Sequence, residues 1–142
     1  MITVHVDRDS VAMGDDAVPH GVAWRFDDDA TPGDVLLRVL SEHYLAAVAG
    51  AVAWGFELGR FAVDRGPGGL SLRSGESVTA AVVLQPLGEP WRVVPLRSRL
   101  LTGPFRSRPE WATANGYAAR FRYSSAGAPL DAAALAGWLG RG

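Results

Sequence analysis

The chain has 142 residues, of which 48% are hydrophobic, and it carries 14 arginines and 15 acidic residues but neither lysine nor cysteine. These charges are polarised, since residues 1–45 carry a net −6 and residues 90–142 a net +6, so acidic and basic surfaces are expected to meet within the fold or across an interface. The missing residues exclude disulfides, thiolate nucleophiles, lysine Schiff bases and the lysine of a GxxxxGK[ST] phosphate-binding loop.

Strand and helix signals follow one another in the first third of the chain. Ile2–Val6 and Val22–Phe26 alternate apolar and polar residues, which predicts two strands with one buried face each. Thr31 then has the pattern of an N-cap, with proline at the first helical position and Asp34 three residues after the cap. This capping signal predicts a helix from Pro32 to about Ala49, where Gly50 would end it.

Alternation returns after the helix. Val52–Leu58 predicts a strand, and Gly59-Arg60 fits a two-residue turn that would fold this strand back on the residues that follow as a hairpin. Leu70–Arg73 predicts a further short strand. Val78–Leu84 is almost continuously apolar, which is typical of a strand in the centre of a sheet.

The arginine-rich residues 90–142 also contain signals of ordered structure. Ser107-Arg108-Pro109-Glu110 resembles a capping box and predicts a short helix that stops at Asn115-Gly116; the competing interpretation makes Asn115-Gly116 a hairpin turn. Tyr117–Tyr123 alternates as a strand does, and Asp131–Leu139 predicts a final short helix. We therefore expect this segment to be folded and not a tail.

The order of elements predicts an α+β fold. Strand, strand, helix and three strands over residues 1–84 resemble a β-grasp, the ubiquitin-like arrangement in which a sheet wraps on one helix. The order is also similar to the hot-dog arrangement, in which an antiparallel sheet curls around a long helix. We expect a single domain, residues 1–142, with a β-grasp-like core at 1–85 and an extension at 90–142 that packs on it or completes its sheet.

An enzymatic interpretation depends on the hot-dog resemblance, which implies a small-ligand binder or an acyl-thioester enzyme. Its pocket would take a small apolar ligand and be lined by Trp24, Trp54 or Phe56. Glu42 and His43 on the central helix are the catalytic candidates, because histidine can act as a general base near neutral pH. A partly buried histidine with a structural role is the simpler interpretation of His43.

Metal and cofactor sites have little support in the sequence. Asp27 and Asp29 belong to an acidic triplet before the helix and are the only metal-ligand candidates, through oxygen ligation of a hard cation. A solvated loop near a helix N-terminus explains the same acids more simply. No motif predicts a bound cofactor.

A protein partner or self-association is the favoured function. The residues predicted to bind it are Arg92, Arg97, Arg99, Arg106, Arg108, Trp91 and Trp111. Arginines interleaved with aromatic residues can also bind nucleic acid, but an acidic region of net −6 would repel a polyanion. The sequence therefore predicts a small non-catalytic binding or adaptor protein that uses complementary charged surfaces.

The expected location is the cytoplasm. The strand-like start at Met1 shows no signal-peptide pattern, and the longest apolar run, residues 45–56, is too short to span a bilayer. The absence of lysine beside abundant alanine and glycine is the composition expected from codon bias in a high-GC bacterium.

Overall fold

The computed structural model describes residues 1–9, 20–45, 52–66, 68–73, 75–85, 90–113 and 115–124. In this part of the chain the fold is α+β, with one main helix and a sheet that contains most of the strands. The final helix predicted at Asp131–Leu139 lies outside the described residues, as does the predicted helix end at Gly50.

The strands of the structure lie close to the positions that the sequence predicted. They are β1 (Ile2–Arg8), β2 (Val22–Phe26), β3 (Val52–Gly59), β4 (Ala62–Gly66), β5 (Gly69–Arg73), β6 (Ser77–Gln85), β7 (Arg92–Pro95) and β8 (Tyr117–Ser124). The helices are α1 (Pro32–Ser41) and α2 (Ser98–Thr102), followed by single 3₁₀ turns at Phe105–Ser107 and Pro109–Trp111. Each strand that alternation predicted is confirmed, whereas β7 had no prediction.

Six strands form one mixed sheet in the order β2-β1-β8-β3-β6-β7. β1 and β8 pair in parallel, and every other neighbouring pair in this sheet is antiparallel. β4 and β5 form a separate antiparallel hairpin. Residues 90–124 thus supply an edge strand and a central strand, so the arginine-rich segment completes the sheet that the first half begins.

One face of the sheet forms the main core with α1. Because side chains alternate along a strand, Val4, Val6, Trp54, Phe56 and Phe121 all point to this face, and each is completely buried. The rings of Phe56 and Phe121 stack with their centroids 4.9 Å apart. Full burial of such side chains contributes roughly 1.5–3 kcal/mol each, so this face is the principal source of stability.

The start of α1 confirms the capping prediction. The Thr31 hydroxyl accepts a hydrogen bond from the Asp34 amide at 3.2 Å, and the Asp34 carboxylate accepts one from the Thr31 amide at 2.9 Å. These two bonds satisfy amide groups that would otherwise lack partners at a helix N-terminus.

The predicted end of α1 at Ala49 is wrong, because the helix ends at Ser41. The His43 amide donates to the Leu40 carbonyl at 3.3 Å and the Tyr44 amide to the Val39 carbonyl at 3.1 Å, the bonding pattern of a Schellman motif. His43 has a φ of 52°, the left-handed conformation that glycine usually supplies at this position. The sequence did not indicate this helix end, because a histidine occupies the position where glycine is usual.

The predicted hairpin at Gly59-Arg60 is also wrong, because β3 pairs with β6 and β8 instead of folding back on residues 61–63. The glycines allow two segments to cross closely: a Cβ atom at Gly59 would overlap the Glu76 carbonyl, and one at Gly75 would overlap the Arg60 carbonyl. The Arg60 amide donates to Glu76 at this crossing, at 2.9 Å. Gly59 therefore allows the two segments to approach closely and does not form a turn.

The helix predicted from Ser107 is wrong as well. The Ser107 hydroxyl donates backwards to the Pro104 carbonyl at 2.7 Å, so it does not cap a following helix. A single 3₁₀ turn follows, and an antiparallel bridge between Thr113 and Gly116 closes a tight turn around Asn115. The competing hairpin interpretation is thus nearer to the structure.

The β4–β5 hairpin packs on the opposite face of the sheet, over β1 and β8. The Leu72 amide donates to the Asp7 carboxylate at 2.9 Å, and the Gly21 amide donates to the Leu70 carbonyl at 3.0 Å. Phe61, Leu70 and Leu72 form a small buried cluster with Ala118 of β8. This hairpin positions the clefts and charged residues considered next.

Candidate functional site

The predicted catalytic candidates lie at the exposed end of α1. Both Glu42 and His43 are exposed, and the Glu42 carboxylate lies 3.8 Å from the Arg38 guanidinium. Trp54 and Phe56, predicted to line a pocket, are completely buried in the core. Trp24 lies under Arg38, whose guanidinium carbon is 4.5 Å from the ring centroid. The residues of the predicted pocket are therefore divided between the core and the surface.

The predicted metal ligands Asp27 and Asp29 lie in the exposed turn after β2. The Asp29 carboxylate pairs with the Arg106 guanidinium at 2.7 Å. Between them, Asp28 lies 2.7 Å from the Met1 amino group, whose hydrogen bond and charge lower the pKa of that carboxyl group. Among the described residues, no group of three or more histidine or acidic side chains could hold a metal ion.

Several of the predicted partner-binding residues make contacts within the chain. Arg97 donates from its guanidinium to the Thr79 carbonyl, and Arg106 is paired with Asp29. Arg108 lies 3.6 Å from Glu110, and its guanidinium carbon is 5.3 Å from the centroid of the Trp111 ring. Arg97 thus ties this segment to β6 and Arg106 ties it to the turn after β2, whereas the contacts of Arg108 are local to the segment.

The other predicted partner-binding residues are open to solvent. We define the β7 surface as Trp91, Arg92 and Val93, which lie at the edge of the sheet, with Trp91 37% and Val93 38% exposed. Arg99, on α2, is also exposed, and neither Arg92 nor Arg99 has a side-chain partner among the described residues. Trp91 immediately precedes β7 and is two residues from Val93, so these two side chains share one face of the extended chain and Arg92 lies on the other.

A row of charged residues, which the sequence did not predict, crosses the outer face of the central strands. The Arg120 guanidinium lies 2.9 Å from the Asp9 carboxylate, which also accepts a hydrogen bond from the Tyr123 amide at 3.0 Å. Arg122 lies 3.8 Å from Glu57 on the neighbouring strand. Acidic residues of the first third and arginines of the last third therefore meet inside this fold.

Glu57 is the most buried carboxylate of this row. Burial raises the pKa of Glu57, while the positive charges of Arg122 and Arg120 act to lower it and Asp9 acts to raise it. The arginines thus only partly offset the loss of hydration. Arg120 and Arg122, which alternate along a strand, gave a sequence signal, but only the strand order reveals that they face Glu57.

His5 lies under the β4–β5 hairpin and is 1% exposed. Neither of its ring nitrogens has a hydrogen-bond partner within the described part of the chain. Burial lowers the pKa of His5, and the positive charge of Arg65 lowers it further. The neutral imidazole is favoured, and it forms no hydrogen bond with the described residues. Burying His5 therefore reduces the stability of the fold, which the sequence did not indicate.

A cleft of about 680 Å³ lies along β4, and we call it the β4 cleft. Its lining residues are Arg60, Phe61, Ala62, Val63, Arg65, Gly75, Ala112, Thr113 and Asn115. Arg60 and Arg65 are exposed and have no side-chain partner among the described residues. The sequence gives no local signal for this cleft, because its two walls are nearly 50 residues apart in the chain.

Comparison of the chain with protein-family models, with curated proteins and with solved structures finds no match. Among the described residues, no helix is long and apolar enough to cross a bilayer. The β7 surface and the β4 cleft therefore provide the structural basis for inferring a function.

Proposed function

We propose that this chain is a small, non-catalytic, cytoplasmic protein-binding module that associates with a protein partner through charged surfaces. The observation that carries this proposal is the β7 surface, where Trp91 and Val93 are exposed on one face of the edge and Arg92, which has no side-chain partner among the described residues, lies between them on the other face. Tryptophan and arginine are the residue types that most often dominate binding energy in interfaces. Their position on an edge strand adds unpaired main-chain groups to the same surface.

The charge of the surrounding segment favours an acidic partner. Residues 90–111 contain five arginines and one acidic residue. Two of these arginines, Arg106 and Arg108, pair with acidic residues of the chain, whereas Arg92 and Arg99 have no side-chain partner within the described ranges. Complementary charge speeds association and selects among partners more than it adds affinity, so apolar contact with Trp91 would supply the affinity.

We further infer a single domain with a β-grasp fold. In a β-grasp, an opening hairpin is followed by a helix, and the first and last strands lie side by side in parallel. The strand order β2-β1-β8-β3-β6 with parallel β1 and β8 supports this assignment, but its last strand, β8, comes from residues 90–142, so this core extends beyond the expected 1–85. The hot-dog alternative has an antiparallel sheet and does not account for that parallel pair.

No observation favours the alternative of an acyl-thioester enzyme or small-ligand binder. Its candidate His43 occupies the left-handed position that ends α1, a conformation with a backbone explanation. Trp54 and Phe56 are completely buried, which leaves neither ring accessible to a ligand in this conformation. We therefore propose the binding role over the catalytic one.

The test compares capture of host proteins by tagged wild-type protein and by a Trp91→Ser/Arg92→Gln variant. We expect a protein that the wild type recovers to be reduced about fivefold or more with the variant, because the variant removes the apolar anchor and one charge. Arg25→Gln is the matched control, since Arg25 is an exposed arginine on β2 at the opposite edge of the sheet.

Light scattering at about 20 mM and about 500 mM salt separates self-association from binding of another protein. An oligomer that dissociates at high salt and in the Trp91→Ser/Arg92→Gln variant identifies a second copy as the partner. A monomer at both salt concentrations, together with capture that the variant does not change, would refute the β7 surface as a binding site.

A further inference from the structure

The β4 cleft is lined by consecutive residues of the chain. Arg60, Phe61, Ala62 and Val63 all contribute to its wall. Successive side chains of an extended segment point to opposite faces, so a cleft confined to one face would be lined only by alternate residues. A cleft lined by four consecutive residues therefore includes the edge of the strand, where the main chain itself is accessible.

That edge of β4 has no partner strand in the described ranges of the chain. β4 pairs with β5 on one side only, through the register from Ala62 opposite Arg73 to Gly66 opposite Gly69. In an antiparallel pair, every second residue directs its N–H and C=O groups away from the partner strand. The outer edge of β4 therefore presents main-chain donors and acceptors to whatever enters the cleft.

The charged groups of the cleft are positive and unpaired. Arg60 and Arg65 are exposed and lack side-chain partners among the described residues. The one acid on β4, Asp64, is already paired with Arg73 at 2.7 Å and is not among the lining residues. Guanidinium groups match carboxylates with two parallel hydrogen bonds, so the two arginines favour an acidic ligand.

Apolar residues lie between the two arginines. Phe61 is buried and Val63 is half-buried, and both line the cleft. Arg60 and Arg65 are five residues apart, a separation of roughly 16 Å along an extended chain. The cleft is thus long, apolar in its middle and positive towards each end. This pattern matches an extended peptide with two acidic side chains better than it matches one small anion.

We propose that the β4 cleft binds an extended acidic segment of a partner protein, which adds as a strand to the outer edge of β4 and places carboxylates on Arg60 and Arg65. The main-chain hydrogen bonds of such β-augmentation provide affinity, and the side-chain contacts provide specificity. This inference rests on the proposed function only in requiring a protein partner, since it assigns a second surface, separate from the β7 surface.

The experiment uses the full chain and the fluorescein-labelled peptide GEVTVTEG, in which two glutamates are five positions apart. Fluorescence anisotropy is expected to show binding by the wild type that weakens about tenfold in Arg60→Gln/Arg65→Gln, because two charge-assisted contacts are removed. Arg25→Gln removes an exposed arginine on β2, outside both proposed surfaces, and is expected to leave peptide binding unchanged. The melting temperatures of both variants confirm that they are folded.

A second peptide keeps both glutamates but carries N-methyl groups on alternate amides, which blocks strand pairing. We expect its affinity to fall at least about fivefold. Equal affinity for the methylated and unmethylated peptides would overturn strand addition, and unchanged binding by Arg60→Gln/Arg65→Gln would overturn the arginine contacts. No binding of GEVTVTEG by the wild type would overturn the proposal as a whole, without affecting the capture test of the β7 surface.

Discussion

His5 is a polar side chain in a place that offers it no polar contact. It is 1% exposed, and neither ring nitrogen has a partner among the described residues. A buried polar group without a hydrogen bond costs about 1–3 kcal/mol. Because burial and then Arg65 lower the pKa of His5 below 6.5, the folded state also resists its protonation.

The substitution His5→Leu tests both effects. We expect it to increase the free energy of unfolding at about pH 7.5 by about 1–2 kcal/mol, since leucine has similar size and no unsatisfied nitrogen. Wild-type stability should fall as the pH decreases below about 6.5, because His5 of the unfolded chain then binds a proton more readily than His5 of the folded chain does. His5→Leu should lose that component of the pH dependence, measured by urea unfolding between about pH 7.5 and about pH 5.5.

The control is His43→Asn, which removes an exposed histidine while keeping a residue that tolerates a positive φ. This variant should retain the pH dependence of the wild type. The same pH dependence in His5→Leu as in the wild type would contradict the assignment to His5.

At the scale of elements, Asp7 fastens the β4–β5 hairpin to the sheet. Its carboxylate accepts hydrogen bonds from the Leu72 amide of β5 and from the Arg8 amide, both at 2.9 Å. We expect Asp7→Ala to cost about 2–3 kcal/mol of stability, because the buried Leu72 amide is left without an acceptor. Hydrogen exchange should accelerate more in β5 than in β3 or β6.

Asp64→Ala is the matched control for this substitution. It removes the same type of side chain from the hairpin itself, but the Asp64–Arg73 pair is largely exposed and should contribute at most about 0.5 kcal/mol. Equal losses of stability from Asp7→Ala and Asp64→Ala would show that the buried contact does not hold the hairpin in place.

Predictions from the sequence also differ from the structure at the scale of helices and strands. Local signals predicted the start of α1 correctly, since Thr31 and Asp34 bond to each other whatever the rest of the chain does. The end of α1 depends on His43 accepting a conformation that histidine seldom adopts. Gly59 could not be placed from sequence, because its role is to pass close to Glu76, seventeen residues later.

The proposed binding surfaces show the same limit. Trp91 and Arg92 are exposed, and their binding of a partner stays a prediction. The β4 cleft could not be predicted, because Ala112 and Asn115 reach it only through the central position of β8 in the sheet. Strand order is set by long-range packing, which alternation along one strand does not encode.

At the scale of the whole molecule, the polarised charge partly neutralises itself. Asp9 pairs with Arg120, and Asp29 pairs with Arg106, so acids from the first third meet arginines from the last third. The pairing of β1 with β8 brings the first of these pairs together in the centre of the sheet. Arg60, Arg65 and Arg92, which have no side-chain partner among the described residues, are arginines that our proposals assign to partners.

The two pairs differ in burial, and a double-mutant cycle on each should separate their contributions. The side chains of Asp9 and Arg120 are 27% and 24% exposed, against 74% and 63% for Asp29 and Arg106. Using alanine substitutions and urea unfolding, we expect a coupling of about 1–2 kcal/mol for the first pair and at most about 0.5 kcal/mol for the second. At about 1 M salt the second should vanish while most of the first remains, because buried pairs are poorly screened. A coupling for Asp9 and Arg120 that is no larger than that of the exposed pair would contradict the expectation that burial strengthens the central pair.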